Sequence, residues 1–289
     1  MMEGKILALS CGIYSVSCDE VIYHVPARGF FRQEKIHPMV GDNVELDDIN
    51  FIIQAVYPRT SQLKRPQVAN IDQMLIVQSL IEPNFSYLLA FKYLTYANMN
   101  GLKAHLILTK SDCYNNQQYI DEIKKVFNDI SVNVYVVSNK DKTGLEEVRK
   151  LFRYHTTCLI GQTGVGKSSL INAIDPQFER AVGEYSRALG RGKHKTKEVI
   201  LLPYQNGYIA DTPGFSSLDL DLYKEDLAQY FPGFMELYLK CYYSNCLHLS
   251  EDRCAVKKAL NDGIISSVAY DCYVTLSNEA IFRSQRYSK

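Results

Sequence analysis

The chain has 289 residues, enough for two or three domains rather than one small core. Apolar content of 46%, charged content of 22% and equal counts of 32 basic and 32 acidic residues suit a globular protein, and exclude a general attraction to nucleic acid or membrane. No apolar run approaches the roughly 18 residues of a membrane span and the N-terminus lacks signal-peptide character, so a cytoplasmic location is expected and the eight cysteines read as thiols or metal ligands rather than disulfides.

Residues 1 to 65 alternate short strand-like runs (KILALS, EVIYHV, NVELD, FIIQAV) with turn signals such as VGDN, a pattern that suits a small β-barrel. Seven basic residues face eight acidic ones over this stretch, so it has no bulk attraction to RNA. Arg28, Phe30, Phe31, Arg32 and Lys35 mix aromatic and basic groups as single-strand binders do, and equally as a core hairpin with a charged edge does.

The apolar run HLIL closes on TKSD, Thr109, Lys110, Ser111 and Asp112. This has the form of the N/T-K-x-D segment with which GTPases read the base. Asp112 can accept hydrogen bonds from guanine N1 and its exocyclic amine, which adenine cannot match, and the stem of Lys110 can lie along the ring. Four residues alone also fit a solvated turn at a strand end. A second strand-like run, VNVYVV, ends at Ser138 and Asn139 before KDKTG. It resembles the segment whose backbone N–H meets guanine O6.

GQTGVGKSS follows the apolar run TCLI and matches G-x-x-x-x-G-K-[ST]. Gly161, Gln162, Thr163, Gly164, Val165 and Gly166 form a loop whose backbone N–H groups curl around phosphate oxygens. Lys167 brings positive charge to the β- and γ-phosphates, and Ser168 is placed to bind Mg²⁺. Ser168 and Ser169 open a helix expected over Lys167–Ile174, whose N-terminal partial charge adds to the site.

Next comes GRGKHKTKE. Arg187, Arg191, Lys193, Lys195 and Lys197 fall within eleven residues that contain no acid. Such a run is commonly a solvated face; beside a γ-phosphate it can also touch RNA phosphates. Thr196 is a candidate Mg²⁺ ligand. In GYIADTPGF a strand ends at Asp211, which can hold Mg²⁺ through water, and the Gly214 N–H can touch the γ-phosphate. Phe215 stands where many GTPases carry the glutamine that orients the attacking water, and a phenyl ring cannot hold a water. His194 is the candidate replacement, since an imidazole titrates near neutrality. The catalytic set is therefore His194, Lys167 and Thr196.

Near the C-terminus, Cys241, Cys246, His248 and Cys254 form C-x₄-C-x-H-x₅-C, a tetrahedral structural zinc pattern. Cys11, Cys18, Cys113, Cys158 and Cys272 lack such grouping and read as small apolar residues. AVKKALNDG reads as a helix stopped at Gly263, a second helix is expected over Ser267 to Phe282, and the tail RSQRYSK is polar.

The order is base reader, second base contact, phosphate loop, threonine-bearing segment, D-x-x-G. GTPase domains ordinarily put the base readers last, so the chain reads as a circularly permuted GTPase domain. With RGFFRQEKIHPMVGDNVEL, RPQVANIDQMLIVQSLIEPNFS and the cysteine cluster, it resembles, over nearly its whole length, the circularly permuted small-ribosomal-subunit biogenesis GTPases of bacteria (the ribosome small-subunit-dependent GTPase A family). That resemblance implies an OB-type barrel over 1–65, a permuted α/β P-loop GTPase domain over 66–220 and a small helical zinc-binding domain over 221–289. It also implies one structural Zn²⁺, Mg²⁺ with GTP, binding to the maturing 30S subunit and its rRNA, subunit-stimulated hydrolysis and a monomer. The family's G-K/R-H-T-T stretch is here Gly192–Lys193–His194–Lys195–Thr196, so Thr196 is the remaining hydroxyl of the pair. Two other readings stay open on the residues: a nucleotide-gated RNA-binding protein with negligible turnover, because of Phe215, and an ATP-using P-loop enzyme, because Thr109 departs from the commoner asparagine.

Overall fold

The computed structural model describes residues 1–19, 21–29, 31, 36–178, 199–211 and 218–280. The first five strands are β1 (Met2–Ser10), β2 (Ile13–Cys18), β3 (Val21–Pro26), β4 (Asn43–Asp47) and β5 (Ile52–Val56), in the antiparallel order β3-β2-β1-β4-β5. A parallel bridge from Ala27 to Ile53 joins the two edges and closes the sheet into an OB-type barrel. Ile6, Val16, Val25, Val44, Leu46 and Ile53 fill it. Ile6, Leu7 and Ala8 are consecutive yet all buried. A bulge between Ile6 and Ala8 breaks the alternation, and Ala8 belongs to the core of the next sheet rather than to that of the barrel.

A short hairpin, β6 (Gln62–Leu63) with β7 (Val68–Ala69), leads onward. It is tied back to the barrel by Arg59, which pairs with the fully buried Asp42 through Nε–Oδ1 at 2.7 Å and Nη2–Oδ2 at 2.8 Å.

The central sheet comprises β8 (Gln73–Ser79), β9 (Lys103–Thr109), β10 (Val134–Val136), β11 (Thr156–Ile160), β12 (Ile200–Tyr204) and β13 (Gly207–Asp211). Their spatial order is β10-β9-β8-β11-β13-β12, parallel except for β12, which runs antiparallel to β13. Pro203 is tolerated because β12 is an edge strand. All seven residues of β8 are buried, as a central parallel strand requires. The chain winds outward from β8 to β10, crosses back to β11, then winds the other way. This places a topological switch point between β8 and β11, where open α/β sheets bind ligands at the carboxyl ends of their strands.

Among the described residues, four helices belong to this layer: α1 (Tyr87–Met99), α2 (Gln117–Asn128), α3 (Leu145–Leu151) and α4 (Lys167–Ile174). Three more follow, α5 (Leu227–Tyr230), α6 (Ala255–Asn261) and α7 (Ser267–Glu279). Aromatic contacts fasten this C-terminal part to α1: Phe91 stacks on Phe231 at 5.1 Å, and Phe231 meets Tyr273 edge-on at 5.3 Å. Gly263 ends α6 at φ +72°, as the sequence indicates. Among the described residues no helix is long and apolar enough to cross a membrane.

The strand Ile13–Cys18 does not stand out in the sequence because it carries polar residues inward. Ser15 is fully buried, with Oγ 3.0 Å from His24 Nδ1. Phe31 is 4% exposed and packs into the core, so it is no stacking surface; Arg28 is exposed, and Phe30, Arg32 and Lys35 lie outside the described residues.

Candidate functional site

The phosphate-loop pattern lies where β11 meets α4. A Cβ on Gly161 would stand 2.1 Å from Val77 O on the neighbouring strand, so only glycine lets the loop leave the sheet here. Gly164 (φ +83°) and Gly166 (φ +93°) have left-handed backbone. Gly166 is the N-cap of α4 and gives it no side-chain hydrogen bond, and the partial positive charge of a helix N-terminus suits an anion. Leu170, Ile171 and Ile174 anchor the helix, Val165 plugs the loop, and Ser168 and Ser169 are exposed. Lys167 Nζ donates to Gly161 O at 2.6 Å and Gln162 O at 2.7 Å, so the loop, through Gln162 and Thr163, curls around its own lysine.

The two segments expected to read the base flank this loop. Thr109, fully buried at the end of β9, donates through Oγ1 to Val165 O at 2.5 Å. Lys110 adopts φ +61°, its Nζ bonded to Glu82 O, and Ser111 opens a 3₁₀ turn that brings Asp112 round. The Asp112 carboxylate accepts from Cys113 Sγ at 3.2 Å and from Ser138 Oγ at 2.9 Å. These two donors, Cys113 first, hold Asp112 below the usual carboxylate range, so it is ionised at neutral pH. Ser138 is fixed in turn by Asp141 N, which donates to its Oγ at 2.9 Å. Asn139 Nδ2 lies 3.5 Å from Gly166 O. The structure thus brings Thr109 against Val165 and Asn139 against Gly166, with Asp112 bonded to Ser138 next to Asn139, although 48 residues separate Asp112 from the end of β11 in sequence.

The backbone of Asp211 closes β13, beside β11, in register with Ile200. His194, Thr196 and Gly214, with Phe215 and the basic run 187–197, lie outside the described residues.

Near the C-terminus, the donor atoms of Cys241, Cys246, His248 and Cys254 all lie within 4.8 Å of one another. Cys241 Sγ is 3.9 Å from Cys254 Sγ, and His248 Nδ1 is 3.4 Å from both sulfurs. A tetrahedral set with Zn–S of about 2.3 Å and Zn–N of about 2.0 Å needs S···S near 3.8 Å and S···N near 3.6 Å. The geometry therefore fits a metal ion of that size. The backbone supports the donors. Ala255 N points at Cys241 Sγ at 3.3 Å and Lys257 N at Cys254 Sγ at 3.4 Å. Glu251 accepts from Leu247, Leu249 and Ser250 N–H groups, and Tyr270 Oη donates to His248 O at 2.8 Å. Burial pushes the Cys246 and Cys254 thiols up, so a bound cation is what would keep them as thiolates.

Residues 56–221 match the model of the RsgA GTPase family, and residues 3–51 match that of the RsgA N-terminal domain. The chain belongs to the RsgA GTPase family. It is a GTP-hydrolysing enzyme on a circularly permuted fold. Relatives include a small ribosomal subunit biogenesis GTPase RsgA of Halalkalibacterium halodurans, 37% identical over 99% of both chains. The protein of the same name in Bacillus subtilis is 39% identical over 99% of this chain and all of its own. Among solved structures, YjeQ from Thermotoga maritima superposes with a TM-score of 0.84 at 29% identity, covering 98% of this chain and 99% of its own. YloQ, described as a circularly permuted GTPase, gives 0.81 at 35%, covering 96% and 94%.

Sequence reasoning misses one neighbour of Asp112 in this RsgA-family chain. Cys113, read from the sequence only as a small apolar residue, is exposed and bonded to Asp112; Cys11 is also exposed. Cys18, Cys158 and Cys272 are buried. The position of Cys113, directly after the aspartate of TKSD, is the signal that could have found it.

Proposed function

We propose that this chain hydrolyses GTP in late maturation of the 30S ribosomal subunit, its GTP-bound form docking on the subunit's rRNA and leaving after subunit-stimulated hydrolysis. The observation that carries the reading is the Ser138–Asp112 hydrogen bond, 2.9 Å across 26 residues of sequence, at the sheet edge from which the phosphate loop rises. The proposed guanine pocket consists of Thr109, Lys110, Ser111, Asp112, Ser138 and Asn139. Gly161 to Gly166, with Lys167, Ser168 and Ser169, take the phosphates. Phosphoryl transfer to water needs charge neutralisation and a positioned nucleophile, with little covalent chemistry from the protein. Lys167 exchanges its loop carbonyls for phosphate oxygens. Ser168 and Thr196 are the proposed Mg²⁺ ligands, with Asp211 acting through water, and Mg²⁺ when bound neutralises charge on the β- and γ-phosphates. Gly214 N–H meets the γ-phosphate, and His194 positions the water in place of the glutamine that Phe215 displaces. Cys241, Cys246, His248 and Cys254 hold one structural Zn²⁺.

The proposed division is a barrel over 1–65 that contacts rRNA, a GTPase domain over 66–220 and a zinc domain over 221–289, in a cytoplasmic monomer. The names of the relatives support the ribosomal assignment.

Phosphate release from GTP, measured alone and with 30S subunits, tests the reading. Slow release alone, strong stimulation by 30S subunits, none by 50S subunits and none with ATP are expected. Equal rates with and without 30S subunits would overturn it.

A further inference from the structure

We infer that the side-chain amide of Asn139 donates to N7 of the guanine ring, taking from the Ser138–Asn139 segment the role that an asparagine at position 109 has in the commoner N-K-x-D arrangement. The inference rests on this sheet edge being the guanine pocket.

Guanine N7 is an acceptor on the edge of the ring opposite the groups that Asp112 reads, so it needs a donor. Thr109 cannot supply one. A hydroxyl carries a single proton, and that of Thr109 goes to Val165 O at 2.5 Å, with Gln78 O the next acceptor at 3.3 Å. The protons of Cys113 Sγ and Ser138 Oγ both go to Asp112.

Asn139 is different. An amide nitrogen has two protons, and Nδ2 has one long contact, to Gly166 O at 3.5 Å, which uses at most one of them. Its Oδ1 is buried and has no hydrogen-bond partner among the described residues. That oxygen is an acceptor and cannot pair with N7; what N7 can take is the second proton of Nδ2, which no hydrogen bond among the described residues uses. The location is also right. A methyl group on Gly166 would stand 3.4 Å from Asn139 Nδ2 and 3.7 Å from Thr109 Oγ1, so amide and hydroxyl converge on one residue of the phosphate loop. Ser138, the adjacent residue, is the group that fixes Asp112. The threonine thus clasps the loop, the asparagine meets the ring, and two residues from separate strand ends share what one asparagine does elsewhere. Adenine also has N7, so Asn139 contributes affinity and ring orientation, while Asp112 sets the choice of base.

Equilibrium binding of GDP, 7-deaza-GDP (N7 replaced by C–H) and IDP (no exocyclic amine) to the full chain with Mg²⁺ tests this. The native protein is expected to bind 7-deaza-GDP about five- to tenfold more weakly than GDP, the scale of one hydrogen bond. Asn139→Ala is expected to lose the same factor for GDP and to bind GDP and 7-deaza-GDP alike. No preference for GDP over 7-deaza-GDP in the native protein would overturn the assignment without any variant. So would an undiminished preference in Asn139→Ala. IDP separates the two levels: IDP bound as tightly as GDP removes the guanine-pocket reading itself. Weak IDP with 7-deaza-GDP equal to GDP removes only the role of Asn139.

Discussion

At the carboxyl edge of the central sheet, protein groups already hold one another in place. Thr109 clasps Val165 O, Ser138 and Cys113 hold the Asp112 carboxylate, and Lys167 rests on the carbonyls of its own loop. In the C-terminal cluster, three cysteines and one histidine face each other within 4.8 Å, in surroundings that disfavour the thiolates a metal needs. The first region is preorganised, so its ligand can come and go without changing the fold. The second would gain cohesion from a bound cation, which would turn its thiols into thiolates and hold them together. On the proposed reading, a site for a reactant and a site for a structural ion are built on opposite principles within one chain.

The largest expected effect breaks that contrast at the C-terminal end. Chelation, or Cys246→Ser, should release one metal ion per chain and loosen the packing of Phe231, Phe234 and Tyr273 against α1. Isolated metal-dependent domains owe on the order of 10 kcal/mol to their zinc; here the aromatic contacts to α1 retain part of the structure. Limited proteolysis near residue 243 should accelerate sharply while GDP affinity changes less than about twofold. Metal loss with unchanged protease resistance would put the two regions on the same footing.

A smaller effect sharpens the other side. Asp112 titrates below its ordinary value, so it stays ionised, and able to accept from guanine, down through the ordinary carboxylate range near pH ~4. GDP affinity should be flat from about pH 8 to pH 5 and fall only in stronger acid. Removing one of its donors with Ser138→Ala should move that fall to higher pH and weaken GDP binding about fivefold at neutrality. An unchanged acid limb, followed by fluorescent-GDP titration, would show that Ser138 does not hold the carboxylate.

Much of this was legible in the residues. TKSD ahead of GQTGVGKSS announces the permutation, and the sheet order β10-β9-β8-β11-β13-β12 is what that order of motifs requires. The helix Lys167–Ile174 and the stop at Gly263 agree with their local signals. The strand Ile13–Cys18 was hidden because Ser15 and Ser17 interrupt its apolar pattern, and only the hydrogen bond between Ser15 and His24 explains a serine inside. The contact between Asp112 and Ser138, and that between Asn139 and Gly166, join segments brought together by parallel crossovers; no local pattern encodes such pairs. The hydrogen bond from Cys113 to Asp112 is likewise not legible from residue type, because a cysteine's neighbours decide what it contacts.

The central claim is that a guanine pocket is preassembled at the switch point of the permuted sheet, and direct competition between GDP and ADP for the full chain tests it most simply, run beside Asp112→Asn. The account requires GDP to bind at least about 100-fold more tightly than ADP, as two hydrogen bonds to a carboxylate would give, and requires Asp112→Asn to lose that preference while its melting temperature stays put. Comparable affinities for GDP and ADP in the native chain would contradict it.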